Sequence, residues 1–378
     1  MATEGNLALI LERVHREGPA SRAQLTRETG LNRSTVAAVV AELVERGLVR
    51  EEAPDATRQV GRPSPVVRTD PDVTAVAAVT EVDAVTVAVV DLTGRVQQQL
   101  RVETSAAPSV QEAVAAVQLC LSRLRAGRGP SWQPSGLGVA VPGLVRSGDG
   151  VVRWAPHLHW REEPLAAMLE EATGLPVRAG NDANLGARAE HLFGAARGAS
   201  HVLYINGGSS GIGGGVIVDD RMLLGADGYA GELGHSSTRD SSELEDAVSR
   251  RRLLDLLGWA HATDERLEQA LSTDPRAEVT HEVRRQLGVL STGVRDMINV
   301  FNPERVVLGG FLGIMFSLDP DHFREAVARQ ALRPAWESVT VVRAALGPDL
   351  LLVGAAELVL EQVVTQATPR PSRSALTV

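Results

Sequence analysis

Lysine is absent from the chain, so every fixed positive charge is a guanidinium. Such usage reflects a GC-rich coding sequence more than a function. Cysteine is nearly absent: Cys120 stands alone, which excludes an intramolecular disulfide and a cysteine-rich zinc site and fits a reducing cytoplasm. No charged-then-apolar leader opens the sequence and no run of ~18 apolar residues occurs. The expectation is a soluble, cytoplasmic protein that makes no use of a membrane. Aromatics supply only 3% of residues, so the core must be built from Val, Leu, Ala and Ile.

What is present is globular in texture. Hydrophobic residues make up 44% of 378 positions, enough for two or three domains. The net charge of −9 argues against nucleic acid binding over the whole surface, though not against a local patch. Residues 1–68 hold ten Arg and nine acids, so the acidity lies in the rest.

The first 68 residues predict three short helices and a wing. Leu7, Ile10, Leu11 and Val14 share one helical face, and Gly18-Pro19 ends that helix. Ser21 and Gln24 form a capping-box pattern for a second helix that stops at Gly30. Asn32 caps a third, from Arg33 to about Arg46, with Val36, Val39, Val40 and Leu43 inward. Leu48–Arg50 and Val66–Arg68 read as wing strands around the polar tip Asp55–Gln59. A winged helix-turn-helix lays its third helix in the major groove, so Asn32, Arg33, Ser34 and Thr35 are the expected DNA-contacting residues. Arg33 suits either a guanine edge or a phosphate. Arg58 belongs to the same set. Gly61-Arg62-Pro63 is narrow and extended; Arg62 either enters an A/T-rich minor groove or simply turns the chain into the return strand.

Thr69–Asp72 marks a boundary. Beyond it strands at Val73–Val79, Val85–Asp91 and Leu137–Val141 alternate with helical stretches such as Val110–Leu124, which is an α/β pattern. Five segments then follow in order: Gly138–Val145 with Pro142-Gly143, Asn181-Asp182-Ala-Asn184, the glycine-rich Asn206–Gly215, Ala230-Gly-Glu232-Leu-Gly-His235, and Asn302–Gly310. Together with the head they make the chain resemble the repressor branch of the ROK family of repressors and sugar kinases. The resemblance implies an actin-like body of the ribonuclease H-like, sugar kinase ATPase type: two α/β lobes around a sugar-binding cleft, behind an α-rich winged head. The expected boundaries are 1–68 for the head, 69–72 for a linker, 73–190 and 191–367 for the lobes, with the last helix returning to the first lobe, and 368–378 for a disordered tail. By motif, Gly143, Asn181, Asp182, Glu232, His235 and Glu245 match the family's sugar-contacting positions, and Asp182 matches the kinases' general base. Read from the residues alone, Asn181-Asp182 can equally cap a helix, and the glycine-rich loop can be a plain turn.

Four departures separate the chain from the family's kinases, the first two on the nucleotide side. The family's Asp-x-Gly-Gly-Thr phosphate loop falls on Val79, Glu81, Val82 and Asp83, which puts two carboxylates and no glycine where polyphosphate would lie. The Leu-Gly-Gly-Gly pattern reads Leu308-Gly309-Gly310-Phe311. After His235 the zinc-holding cysteines are missing, and His157 stands where the family more often has Asn. The expectation is a DNA-binding repressor, homodimeric or homotetrameric, answering to a sugar, with no catalytic residue, no metal, no zinc or ATP, and no enzyme activity. The alternatives are an active sugar kinase with a DNA-binding head, and a regulator whose body only oligomerises.

Overall fold

The computed structural model describes residues 3–52, 65–208, 211–237 and 243–367. Arg58, Arg62, the wing tip and the tail 368–378 lie outside that set.

The head contains α1 (Glu4–Glu17), β1 (Ala20–Ser21), α2 (Arg22–Thr29), α3 (Arg33–Glu45), β2 (Val49–Glu52) and β3 (Val66–Thr69). Its caps are the expected ones: Ser21 Oγ accepts from Gln24 N at 3.2 Å, and Asn32 Oδ1 from Thr35 N at 2.9 Å. Leu7, Ile10, Leu11, Val36, Val39, Val40 and Leu43 are all buried. The two-residue strand β1, which local patterning does not announce, pairs with β3 and makes the wing three-stranded.

The body continues with β4 (Thr74–Thr80), β5 (Ala84–Asp91), β6 (Val96–Glu103), α4 (Val110–Arg128), β7 (Leu137–Val141), β8 (Leu144–Val145), β9 (Val152–Ala155), β10 (Trp160–Glu163), α5 (Leu165–Thr173), β11 (Val177–Asn181) and α6 (Asp182–Phe193). Next come β12 (Val202–Gly207), β13 (Ile212–Val218), β14 (Arg221–Met222), α7 (Leu244–Ala247), α8 (Arg250–Leu257), α9 (Asp264–Thr273) and α10 (Ala277–Phe301). The chain ends with β15 (Arg305–Gly309), α11 (Gly310–Leu318), α12 (Pro320–Ala328), α13 (Arg333–Glu337), β16 (Thr340–Arg343) and α14 (Leu350–Gln366).

Two compact units result. The first holds residues 1–141, 149–180 and 355 onward; the second holds 142–148 and 181–354. Each has a five-stranded sheet of the same order, β6-β5-β4-β7-β11 in the first and β14-β13-β12-β15-β16 in the second. In both, an antiparallel meander is extended by parallel strands reached through helical crossovers. The duplicated order is that of an actin-like, sugar-kinase-like body. Val and Ala bury β4 and β5 on both faces. In the second unit Leu, Ile, Val and Phe from β12, β13, α10 and α11 form the core.

The expected lobe boundary at 190/191 is corrected to 180/181, because α6 packs on β12 and β13 and so belongs wholly to the second unit. Gly213 and Gly215 permit that packing. A Cβ on Gly213 would stand 2.7 Å from the Ala183 methyl, and one on Gly215 2.6 Å from that of Ala187. The end of α6 is fixed by Glu190, fully buried, which accepts from the backbone N–H groups of Ala195 (2.6 Å), Ala345 (2.8 Å) and Leu346 (2.9 Å). As predicted, the last helix returns to the first unit from Ala355 onward.

Replacing Gly213 and Gly215 together by Val should push α6 off its sheet. Thermal unfolding then reports a loss of about 3 kcal/mol or more; an unchanged melting midpoint would refute this account of the glycines.

Candidate functional site

Every expected ligand residue falls in the second unit, around the start of α6. Strand β11 delivers Asn181 and Asp182 at its carboxyl end, where α/β folds hold ligands. Asn181 has two tasks. Its Oδ1 accepts from Asn184 N at 3.0 Å, capping α6, and its Nδ2 donates to the Gly143 carbonyl at 3.0 Å. The helix-capping reading of Asn181 is thus observed, and the same side chain also binds the Gly143 backbone. Asp182 is partly buried, and its Oδ1 accepts from Ala183 N at 2.8 Å. Desolvation, reinforced by the Glu232 carboxylate, pushes its pKa up to about 7.

Glu232, His235 and Glu245 continue the constellation. The Glu232 pKa is raised by the protein packed around it and by Glu245, with His235 opposing. His235 is exposed and shares a 2.8 Å hydrogen bond between Nδ1 and Glu243 Oε2. That bond, then the charges of Glu245, Glu243 and Glu232, raise its pKa. Glu245 Oε2 accepts from Ile212 N at 3.2 Å, tying α7 to the start of β13. Glu243 was not foreseen. It lies eight residues beyond His235, past a segment whose path no local pattern predicts.

The family's cysteine-held zinc does not fit these residues. The donors present are His235, Glu243 and Glu245, with ligand atoms within 4.8 Å of one another, and no thiolate is available. All three already serve hydrogen bonds, His235 with Glu243 and Glu245 with the backbone of Ile212. His157 lies in the first unit, exposed, in a single 3-10 turn.

The glycine-rich segment forms the hairpin between β12 and β13, and Gly208 N donates to Gly211 O at 2.9 Å. Phe311, in place of the third glycine of its motif, is buried with its ring against Gly207.

The hairpin linking β4 and β5 carries the residues that sequence matching sets against the family's phosphate loop, and here the charge argument is corrected. Glu81 and Asp83 are not two unscreened acids, because Arg101 on β6 donates to both carboxylates, to Asp83 at 3.2 Å, and also to Thr86 Oγ1 at 3.2 Å. Val79 is buried in β4. The steric part stands: residues 81–83 carry side chains where a backbone cradle needs glycine.

In the head, most arginines are committed. Arg22 holds Glu51 through two bonds of 2.6 Å, Arg13 pairs with Glu28, Arg46 with Glu4 and Glu42, and Arg68 with Glu52. Arg27 and Arg33 are exposed and make no hydrogen bond or ion pair among the described residues. Sequence reading missed Arg27, since nothing in a sequence tells a committed arginine from a free one. The Ser34 hydroxyl donates to Asn32 Oδ1 at 2.7 Å, so both lone pairs of that oxygen are used and only the amide hydrogens of Asn32 are left for a further partner.

Residues 81–362 match the model of the ROK family, and residues 8–59 match that of the MarR family. The chain belongs to the ROK family. It is 26% identical to the xylose repressor of Bacillus subtilis over 96% of this chain and 97% of that protein. It is also 30% identical to the glucokinase of Streptomyces coelicolor over 72% of this chain and 93% of that one. A ROK family transcriptional regulator, a homologue of the Escherichia coli Mlc protein, shares its fold with a TM-score of 0.77 at 22% identity, covering 96% of each chain. A winged head ahead of a ROK body, matched end to end, is the architecture of a ROK transcriptional repressor, and its head is a DNA-binding domain. No helix among the described residues is long and apolar enough to cross a membrane.

Arg33→Ala should weaken duplex binding about tenfold, within the range for one base or phosphate contact. If Arg33 holds a phosphate, the slope of log affinity against log salt falls by about 0.9; if it reads guanine, sequence preference relaxes instead. Arg22→Ala should lower thermal stability and leave the slope alone. A slope and preference both unchanged in Arg33→Ala would remove it from the interface.

Proposed function

We propose that this repressor binds operator DNA as a homodimer or homotetramer through Asn32, Arg33, Ser34, Thr35, Arg58 and Arg62. A sugar in the second unit then changes that binding, and no phosphoryl transfer occurs. The observation that carries the effector reading is the continuous arrangement from Gly143 through Asn181 and Asp182 to Glu232, His235 and Glu245. Amides, carboxylates and an imidazole at the head of one helix suit a ring of hydroxyls, each of which both donates and accepts. Xylose and glucose are the first sugars to try, given a xylose repressor and a glucokinase among the relatives.

The reading without kinase activity, zinc or ATP rests on the β4–β5 hairpin. Nothing there replaces the glycine cradle, and Arg101 is held by Glu81, Asp83 and Thr86. The cavity of about 330 Å³ beside Gly310 is walled by Asp264, Glu265 and Glu268, and its cation, Arg343, is paired with Glu268. Asp182 keeps the position of a general base while the phosphate side gives it nothing to act on.

The deciding experiment is operator binding with and without a panel of pentoses and hexoses, beside an ADP-release assay on the same panel. Relief by at least one sugar and no ADP release are expected. Indifference to every sugar would leave the body an oligomerisation scaffold, and turnover that Asp182→Asn abolishes would make the chain a kinase.

Asp182 gives this site a pH signature. Sugar affinity should rise as pH passes about 7, where the carboxylate ionises and becomes the stronger acceptor. The rise should vanish in Asp182→Asn. Folding moves the opposite way. Between the unfolded value of 3.8 and about 7 the unfolded chain releases this proton while the folded chain keeps it, so stability falls as pH rises. Asp182→Asn should therefore stabilise the protein at pH 8 by on the order of 2 kcal/mol and do nothing at pH 3.5. Denaturant unfolding at the two pH values checks the sign.

A further inference from the structure

The first unit contains a buried polar contact that neither DNA reading nor ligand binding uses. His15, in the last turn of α1, has a side chain only 4% exposed, and Glu357, on α14, only 1%. The imidazole Nδ1 lies 2.6 Å from the Leu92 carbonyl at the β5–β6 turn, so Nδ1 carries a hydrogen and donates. Its Nε2 lies 3.3 Å from Glu357 Oε2. The other carboxyl oxygen, Glu357 Oε1, is buried and has no hydrogen-bond partner among the described residues. Burying an acid and an imidazole costs more than burying a pair of leucines. Such a pair offers directionality, since it is satisfied in only one relative placement of α1, the β5–β6 turn and α14.

Two further attachments tie the head. Arg46, at the C-terminal end of α3, donates to the Ala367 carbonyl just past the end of α14 at 2.8 Å, while also holding Glu4 and Glu42. Arg50 on β2 holds the connecting segment through Asp70 at 3.0 Å and Asp72 at 2.6 Å. Helix α14 is itself set firmly on β7, because Gly138 leaves the Ala355 carbonyl room to approach, and Gly136 does the same for Val359. Three separate attachments, one on each of α1, α3 and β2, fix the orientation of a small domain.

We propose that His15, Glu357 and Arg46 are positioning residues for operator binding, with α14 as the strut that sets the angle of α3. The inference rests on the homo-oligomer reading above and not on the effector. Two linked heads must meet two half-sites at once, and heads held at the right angle raise the effective concentration of the second contact.

The test uses the full chain and a duplex that the unaltered protein selects from a random pool. The double variant His15→Leu/Glu357→Leu replaces the buried polar pair by an apolar one. It should melt within a few degrees of the parent, bind about tenfold more weakly, and tolerate altered half-site spacing. Its salt slope should match the parent's, because each head still folds and makes its own phosphate contacts. Glu357→Gln, whose amide can donate to Nε2, should keep parental affinity and spacing. A folded double variant with parental affinity and spacing preference overturns the proposal. If the double variant fails to fold, Arg46→Gln at the solvent-facing end decides by the same readouts: relaxed spacing supports the proposal and parental spacing overturns it. Sedimentation of the parent separates the two readings, since an anchor can fail in a dimer, whereas a monomeric parent overturns both.

Discussion

The second unit depends on how closely α6 can approach β13. Glycine at 213 and 215 removes the side chains that would hold the helix away, and Ala183 and Ala187 keep the opposing face short. That approach fixes the N-terminus of α6, and with it Asn181 and Asp182. Glu190 at the other end ties the helix to the turn before α14 through the N–H groups of Ala345 and Leu346, and to its own following turn through that of Ala195. The polar groups at the site owe their positions to packing below them. Asp182 has its perturbed pKa for the same reason, because a carboxyl held at a close-packed helix start, beside Glu232, loses hydration it would otherwise keep.

A body that shares its fold with ROK kinases can differ from them in one hairpin without losing this scaffold. The β4–β5 hairpin and the candidate ligand residues belong to different units, so changes in that hairpin leave α6 and its neighbours intact. Arg101 shows how the replaced hairpin remains stable. Two carboxylates added to one turn repel each other, and a guanidinium on the adjacent strand, bonding both, offsets that cost. The same cation that quiets the hairpin is unavailable to a nucleotide.

Much of this was legible in the sequence where the physics is local. Caps at Ser21 and Asn32, the buried face of α3, the strands β4, β5 and β7, and the strand-to-helix junction at Asn181 all depend on residues within a few positions of each other. What was not legible depends on distance along the chain. Strand β1 forms only because β3 returns beside it. The boundary at 180/181 follows from α6 meeting strands that come later. Glu243 reaches His235 across a segment with no pattern of its own, and Arg101 finds Glu81 only through the register of β5 and β6. Even the free arginines of the head cannot be separated from the committed ones until their carboxylate partners are in place.

The contact between His15 and Glu357 is the extreme case, its partners 342 positions apart in the chain. A pair so remote in sequence could not be proposed from composition or periodicity, and an apolar pair would have been the simpler solution for a core. Nonpolar contacts tolerate sliding, because their energy scarcely depends on direction. A donor aimed at one carbonyl and a ring nitrogen aimed at one carboxyl do not tolerate it. A DNA-binding head must present α3 at a defined angle, and orientation is the property that hydrophobic burial supplies least well. The polar contact therefore stands where directionality has the greatest consequence: at the junction between the helices that meet DNA and the strut that holds them.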